Sequence, residues 1–178
     1  MKQIFFPIIL LLFCVSLIAQ KQDPFKSRID EIRKWYTEVQ SLGMKNCQTK
    51  RKTEYDRLSL ESEKIPFEQV VKTCRLSAEY ELTKGDFQGH EWAYEVNIYR
   101  KNGKVFFVFV KGGAEGYSYE RRYYCDLNEN LIKQLEKEAD GGAELTGPNK
   151  EIKLSTYTKK IHASIPDEFR AVESVWGK

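Results

Sequence analysis

Histidine is scarce in this sequence: its 178 residues include two, His90 and His162. Neither has a second histidine at a metal-binding spacing. His90 and Glu91 are neighbours on an alternating run, so their side chains face opposite sides. No Gly-x-Ser-x-Gly elbow, His-Glu-x-x-His pair or phosphate-cradling Gly-x-x-x-x-Gly-Lys is present. These absences exclude the common local motifs of hydrolases, zinc peptidases and nucleotide-binding enzymes. They leave open a triad assembled from distant residues. The chain also lacks an excess of either charge, with 29 basic against 26 acidic residues and a formal net charge of +3. A sequence-independent nucleic-acid binder needs a clear cationic excess, so nucleic acid is not an expected partner. No cofactor or metal is expected.

Long apolar runs are equally scarce, and the single one lies at the start. Lys2 supplies a short positive region, Ile4 to Ile18 is almost wholly apolar, and Ala19 precedes the polar Gln20-Lys21-Gln22-Asp23. This is the pattern of a secretory signal peptide cut after Ala19, with Leu17 larger than the usual small residue at the minus-three place. An uncleaved anchor is disfavoured by the shortness of the run against a hydrocarbon core of ~30 Å. A lipobox ending at Cys14 is disfavoured by the bulk of Phe13. Residues 1–19 are therefore expected to be a signal peptide, and 20–178 a single domain exported to the periplasm or released. No later run approaches the ~18 apolar residues of a span, so no membrane span is expected after signal removal.

Cysteine is sparse too. Cys14 falls in the leader, leaving Cys47, Cys74 and Cys125. Export permits a disulfide, and an odd count leaves one thiol free or joined to another chain. Alternation places Cys74 with Leu76, Ala78, Tyr80 and Leu82, and Cys125 with Tyr117, Tyr119, Tyr123 and Leu127. A Cys74–Cys125 bond, a Cys47–Cys74 bond and no intrachain bond all remain open.

Two periodicities are present. Phe25, Ile29, Ile32, Tyr36, Val39 and Leu42 recur at helical steps, opened by Asp23-Pro24 and closed by Gly43. From Cys74 the period becomes two. Cys74–Leu82, Glu91–Arg100, Val105–Val110 and Tyr117–Leu127 read as strands, and Asn102-Gly103 is a strong hairpin turn. Val105–Val110 is apolar on both faces, as a central covered strand should be. Gly85 and Gly89 mark a turn, as do Gly112 to Gly116. Lys50-Arg51-Lys52 reads as a solvated surface run, with Tyr55, Leu58 and Leu60 undecided between strand and helix and Pro66 breaking what precedes it. Leu131 onward is a strand or a short helix. Ile152, Leu154 and Thr156 start a further strand that continues through Ile161, Ala163 and Ile165, before a C-terminal helix from Pro166. The predicted fold is α+β: an N-terminal helix packed on an antiparallel β-meander of five or six strands, with a short C-terminal helix.

What the chain has in plenty is aromatic residues, with ten tyrosines, ten phenylalanines and three tryptophans. Four tyrosines crowd residues 117–124. Tyr124 shares a face with Glu120, Arg122 and Asp126, opposite Tyr117, Tyr119 and Tyr123. Exposed, that face presents an aromatic plate beside charged hydrogen-bonding groups, suited to a protein interface or a sugar ring. The plainer alternative is that these tyrosines fill the core with hydroxyls at its wet margin. Asp126, Asn128 and Asn130 start like a calcium loop, but Leu131 and Lys137 stand where glycine and the bidentate glutamate are needed.

The hairpin Tyr99–Val105 is echoed by Tyr124–Leu131. The run from Glu120 to Ile132, with that first hairpin, resembles secreted bacterial proteins of unassigned function, which pair a leading helix with strands of the type Arg-Tyr-Tyr, turn, Leu-Ile. The resemblance covers Trp92 to Lys137, with Asn130 in place of an expected glycine, and implies no activity and no functional residues. The expected function is an exported, non-catalytic binding module for an exported protein or small ligand. An envelope-associated structural protein joined through the odd cysteine, and an exported hydrolase with a dispersed site around His90 or His162, are the alternatives.

Overall fold

The computed structural model describes residues 24–57, 64–141, 143–154 and 159–177. The leader, Asp23, Leu58, Leu60 and Thr156 lie outside the described residues. The elements are α1 (Lys26–Leu42), β1 (Cys47–Arg57), β2 (Lys64–Arg75), β3 (Tyr80–Gln88), β4 (Trp92–Lys101), β5 (Lys104–Ala114), β6 (Tyr117–Cys125), β7 (Leu131–Asp140), β8 (Lys150–Ile152), α2 (Ile161–Ser164) and α3 (Pro166–Trp176). The eight strands form one antiparallel sheet in sequence order, a meander from β1 to β8. No helix among the described residues is long and apolar enough to cross a membrane.

α1 begins at Lys26, two residues after Pro24, and ends at Leu42, followed by Gly43, whose φ of 66° suits a residue without Cβ. Ile29, Ile32 and Val39 are buried, each contributing about 1.5–3 kcal/mol of apolar burial. They cover one face of the sheet, over Tyr80, Leu82, Tyr99, Phe106, Phe107, Tyr124 and Ile132. The other face is covered from the C-terminus: Ile161, Ile165, Phe169, Val172 and Val175 pack on Val71, Phe87, Val96, Ile98, Val108, Val110, Tyr123 and Cys125. β5 is therefore central and covered on both sides, as its composition requires.

The sheet has eight strands rather than five or six, because a polar hairpin precedes the apolar ones. β1 contains Lys50-Arg51-Lys52 and carries almost no apolar signal, yet all eleven of its residues pair with β2. As an edge strand it faces water on one side, and its lysines and arginine discourage pairing with another chain. Pro66 does not break the chain; it sits inside β2 opposite Tyr55. β3 pairs with β2 only from Val70 onward, so the missing N–H of Pro66 removes no bond to a third strand.

Four other expectations are corrected. The run Cys74–Leu82 is two strands, because Ser77 Oγ accepts from the amides of Glu79 and Tyr80 and turns the chain there. Gly85 lies inside β3, where a Cβ would stand 2.4 Å from the Phe87 ring. Gly112 and Gly113 lie inside β5 rather than in a turn; Leu131, open between strand and helix, starts β7. Ile161 to Ser164 is helical rather than extended, and Ile165 links it to α3. Ile161, Ile165, Phe169 and Val172 are buried while Ala163 is exposed, a spacing of four that also mimics a spacing of two.

The sequence echo is structural. In the β4–β5 hairpin Tyr99 pairs with Phe107 and Arg100 with Val105; in the β6–β7 hairpin Tyr124 pairs with Lys133 and Cys125 with Leu131. Each has a β-bulge at the equivalent place, and each bulge turns an extra apolar residue, Phe106 or Ile132, onto the α1 face. The two hairpins are tied together by Glu129, whose Oε1 accepts from the Val105 amide at 2.9 Å.

Candidate functional site

The pleat of β6 sends Glu120, Arg122 and Tyr124 to the α1 face and Tyr117, Tyr119 and Tyr123 to the α3 face. Tyr124 is not an exposed plate. It is 7% exposed, lying against Phe107 with ring centroids 5.1 Å apart. Arg122 is half-buried beside it and donates from Nη2 to Glu120 Oε2 at 3.1 Å. Its guanidinium stands 5.9 Å from the ring centre of Phe109.

Tyr124 and Arg122 form one wall of a groove of about 430 Å³ running along α1. Phe107 and Phe109 of β5 line it too, and Ile32, Arg33, Tyr36 and Thr37 of α1 close the opposite side. Tyr36 is 37% exposed, with its ring edge-on to both Tyr99 and Phe107 at 5.3 Å. Arg33 is exposed at the rim and pairs with Asp30 at 3.0 Å. The groove thus offers an aromatic interior with guanidinium groups on both walls. Such a lining holds an apolar or ring-shaped body and directs hydrogen-bond donors at its acceptors.

Asp126 is not part of this groove. It caps the β6–β7 turn, its Oδ1 accepting from the amides of Asn128 and Asn130 at 2.8 Å each and its Oδ2 from Asn130 Nδ2 at 2.9 Å. The calcium-like spacing is an Asx turn whose oxygens hold N–H groups. Tyr36, Arg33, Phe107 and Phe109 were absent from the sequence-predicted set. The sequence places Tyr36 in the apolar stripe of α1, whereas in the structure it is 37% exposed.

The cysteines are decided by the sheet. Cys47 and Cys74 face each other across β1 and β2 and are disulfide-bonded; Cys125 is free and buried. Cys74 and Cys125 lie on β2 and β6, four strand spacings or about 19 Å apart, too far to be bridged. Burial, then the nearby Asp126 and Glu129 carboxylates, hold the Cys125 thiol well above its ordinary range. His162 lies on α2 over the Phe169 ring at 3.8 Å, and His90 is in the β3–β4 turn. Among the described residues no group of three or more His, Cys, Asp or Glu is placed to hold a metal ion.

A second cleft, of about 440 Å³, lies near the C-terminal end of α3, with polar side chains beside Val172 and Trp176. Its central guanidinium, Arg100, already donates to Glu81 at 3.1 Å and Thr83 at 2.9 Å, so it is less open to a ligand. Comparison with protein-family models, with curated proteins and with solved structures found no match for this chain.

Proposed function

We propose that this protein is an exported, non-catalytic binding module that holds a small, ring-bearing ligand in the groove between α1 and strands β5 and β6. The observation that carries the reading is the convergence of Tyr124, Arg122 and Tyr36 on one aromatic groove. At about 430 Å³ it falls within the roughly 300–1,000 Å³ of small-molecule sites. Phe107, Phe109 and the tyrosines would bury the ring, and Arg122 would donate to an acceptor on it. Glu120 holds the Arg122 guanidinium in place. The structural alternative loses its motive, because Cys125 is fully buried and an interchain bond would require the fold to open.

The test is capture from an envelope extract by the immobilised protein, followed by mass spectrometry of the retained small molecules. Arg122→Ala and Tyr36→Ala should each lose the retained species, read at a temperature below the melting transition of each variant, because Tyr36 also packs on Tyr99 and Phe107 and Arg122 on Glu120. Retention of the same species by both variants would overturn the groove. Export is tested separately, by N-terminal sequencing of the cell-envelope and released fractions. Gln20 is the expected first residue, and intact Met1 in the cytosol would overturn it.

A further inference from the structure

A third pocket, of about 440 Å³, lies on the other flank of α1, between the two turns that echo one another in sequence. The turn between β4 and β5 contributes Lys101 and Lys104, the turn between β6 and β7 contributes Asp126, and α1 contributes Arg28 and Trp35. Its apolar surface is the Trp35 indole, set edge-on to the buried Phe106 ring at 5.5 Å. The Arg28 guanidinium lies 4.4 Å from the Trp35 ring centre, and Lys101 Nζ lies 4.5 Å from it.

Of the cations that line the pocket, Lys104 has no carboxylate within ion-pair distance among the described residues. Three cations line the pocket against one carboxylate, Asp126, whose oxygens are already filled by N–H donors from its own turn. Glu31 pairs with Arg28 at 2.7 Å and Glu79 with Lys101 at 3.4 Å, both from outside the lining. Lys104 is exposed and its hydrogen bond goes to a neutral acceptor, the Leu127 carbonyl, at 3.3 Å. An ammonium partnered by a neutral carbonyl beside an aromatic wall is complementary to a negative group on an apolar body.

We infer that this pocket binds a small organic anion, with its apolar body against Trp35 and its charged oxygens on Lys104. The charged group is a carboxylate or a phosphate monoester, which share the same complement of acceptor oxygens. The site is separate from the groove that holds Tyr124, and its failure would leave that reading untouched.

The experiment is a titration of the isotope-labelled protein with benzoate, phenyl phosphate and benzamide, followed by NMR. The Trp35 indole N–H, assigned through Trp35→Phe, is the reporter. Benzoate or phenyl phosphate should shift it saturably, and whichever binds more tightly identifies the charged group. Benzamide, with the same ring and no charge, should shift it far less. Lys104→Glu should weaken the anion by about tenfold or more, the loss of one charge-assisted hydrogen bond. Lys45→Glu, an equal charge change beyond the far end of α1, should leave it unchanged. Equal binding of benzamide, indifference to Lys104→Glu, saturation only at Tyr36 and Arg122 resonances, or no saturable shift with either anion would each overturn the proposal.

Discussion

Tyr99 and Tyr124 grip Phe107 from the two neighbouring strands, with ring centroids 5.6 and 5.1 Å from it. The two tyrosines hold equivalent places in successive bulged hairpins, each the last regular pair before its bulge. Phe107 thus ties the repeats together beneath α1 and also lines the groove. Phe107→Ala should destabilise the protein by about 3–5 kcal/mol, read from urea unfolding. A loss below about 0.5 kcal/mol, the range of surface substitutions, would show that the ring is not a keystone of that face.

Gly112 is needed in β5 for space rather than for turning. A Cβ there would lie 2.5 Å from Tyr94 Cβ, 2.9 Å from the Ala93 carbonyl and 2.9 Å from the Tyr119 hydroxyl. Two aromatic side chains from the flanking strands have taken the room. Gly112→Ala should cost about 1–3 kcal/mol by overpacking. The same change at Gly113 meets the Tyr117 carbonyl oxygen at 2.5 Å and should also destabilise. Denaturant midpoints equal to the parent's would contradict this account.

The Cys47–Cys74 bond closes a loop of sequence separation 27 at the base of the polar hairpin. The chain-entropy estimate for such a loop is about 3–4 kcal/mol. Cys47→Ala, measured with Cys74→Ala, should lower stability by roughly that amount. Alkylation in the folded state should leave Cys125 unmodified, and the Cys125 peptide should label only after denaturation.

Glu168 sits in the first turn of α3, and its carboxyl is raised above the ordinary range by burial first and by Asp167 as a further cause, opposed by its backbone hydrogen bond and by Arg121. A raised value means the folded protein holds this proton more tightly than the unfolded chain does. Stability from the group is full below the ordinary glutamate pKa of about 4.3 and is lost as pH rises through the raised value. Glu168→Gln should therefore raise the melting temperature at neutral pH. The difference should vanish below about pH 4, where both side chains are neutral. An equal gain at both pH values would place the effect in packing instead of ionisation.

Much of the fold was legible because periodicity is local. The α1 stripe, the Asn102-Gly103 turn and the alternation of β4 and β6 each need only neighbouring residues to be read. That Tyr124, Arg122 and Glu120 share one face followed from pleat parity alone. β1 was illegible because an edge strand buries little and carries no apolar alternation. α2 was misread because Ile161 and Ile165, four apart, satisfy a strand and a helix alike until Phe169 and Val172 are counted.

By itself the sequence determined which residues of β4 and β6 share a face, where the Asn102-Gly103 turn falls, and that two hairpins repeat. Tertiary structure alone decided what covers each face. α1 lies over Tyr124 and makes a groove wall of a side chain that parity had left free to be an exposed plate, and the order of strands separates Cys125 from the other two cysteines. Alternation fixes direction relative to one strand, whereas exposure and distance depend on chain segments far away in sequence, brought together by the burial of their apolar sides.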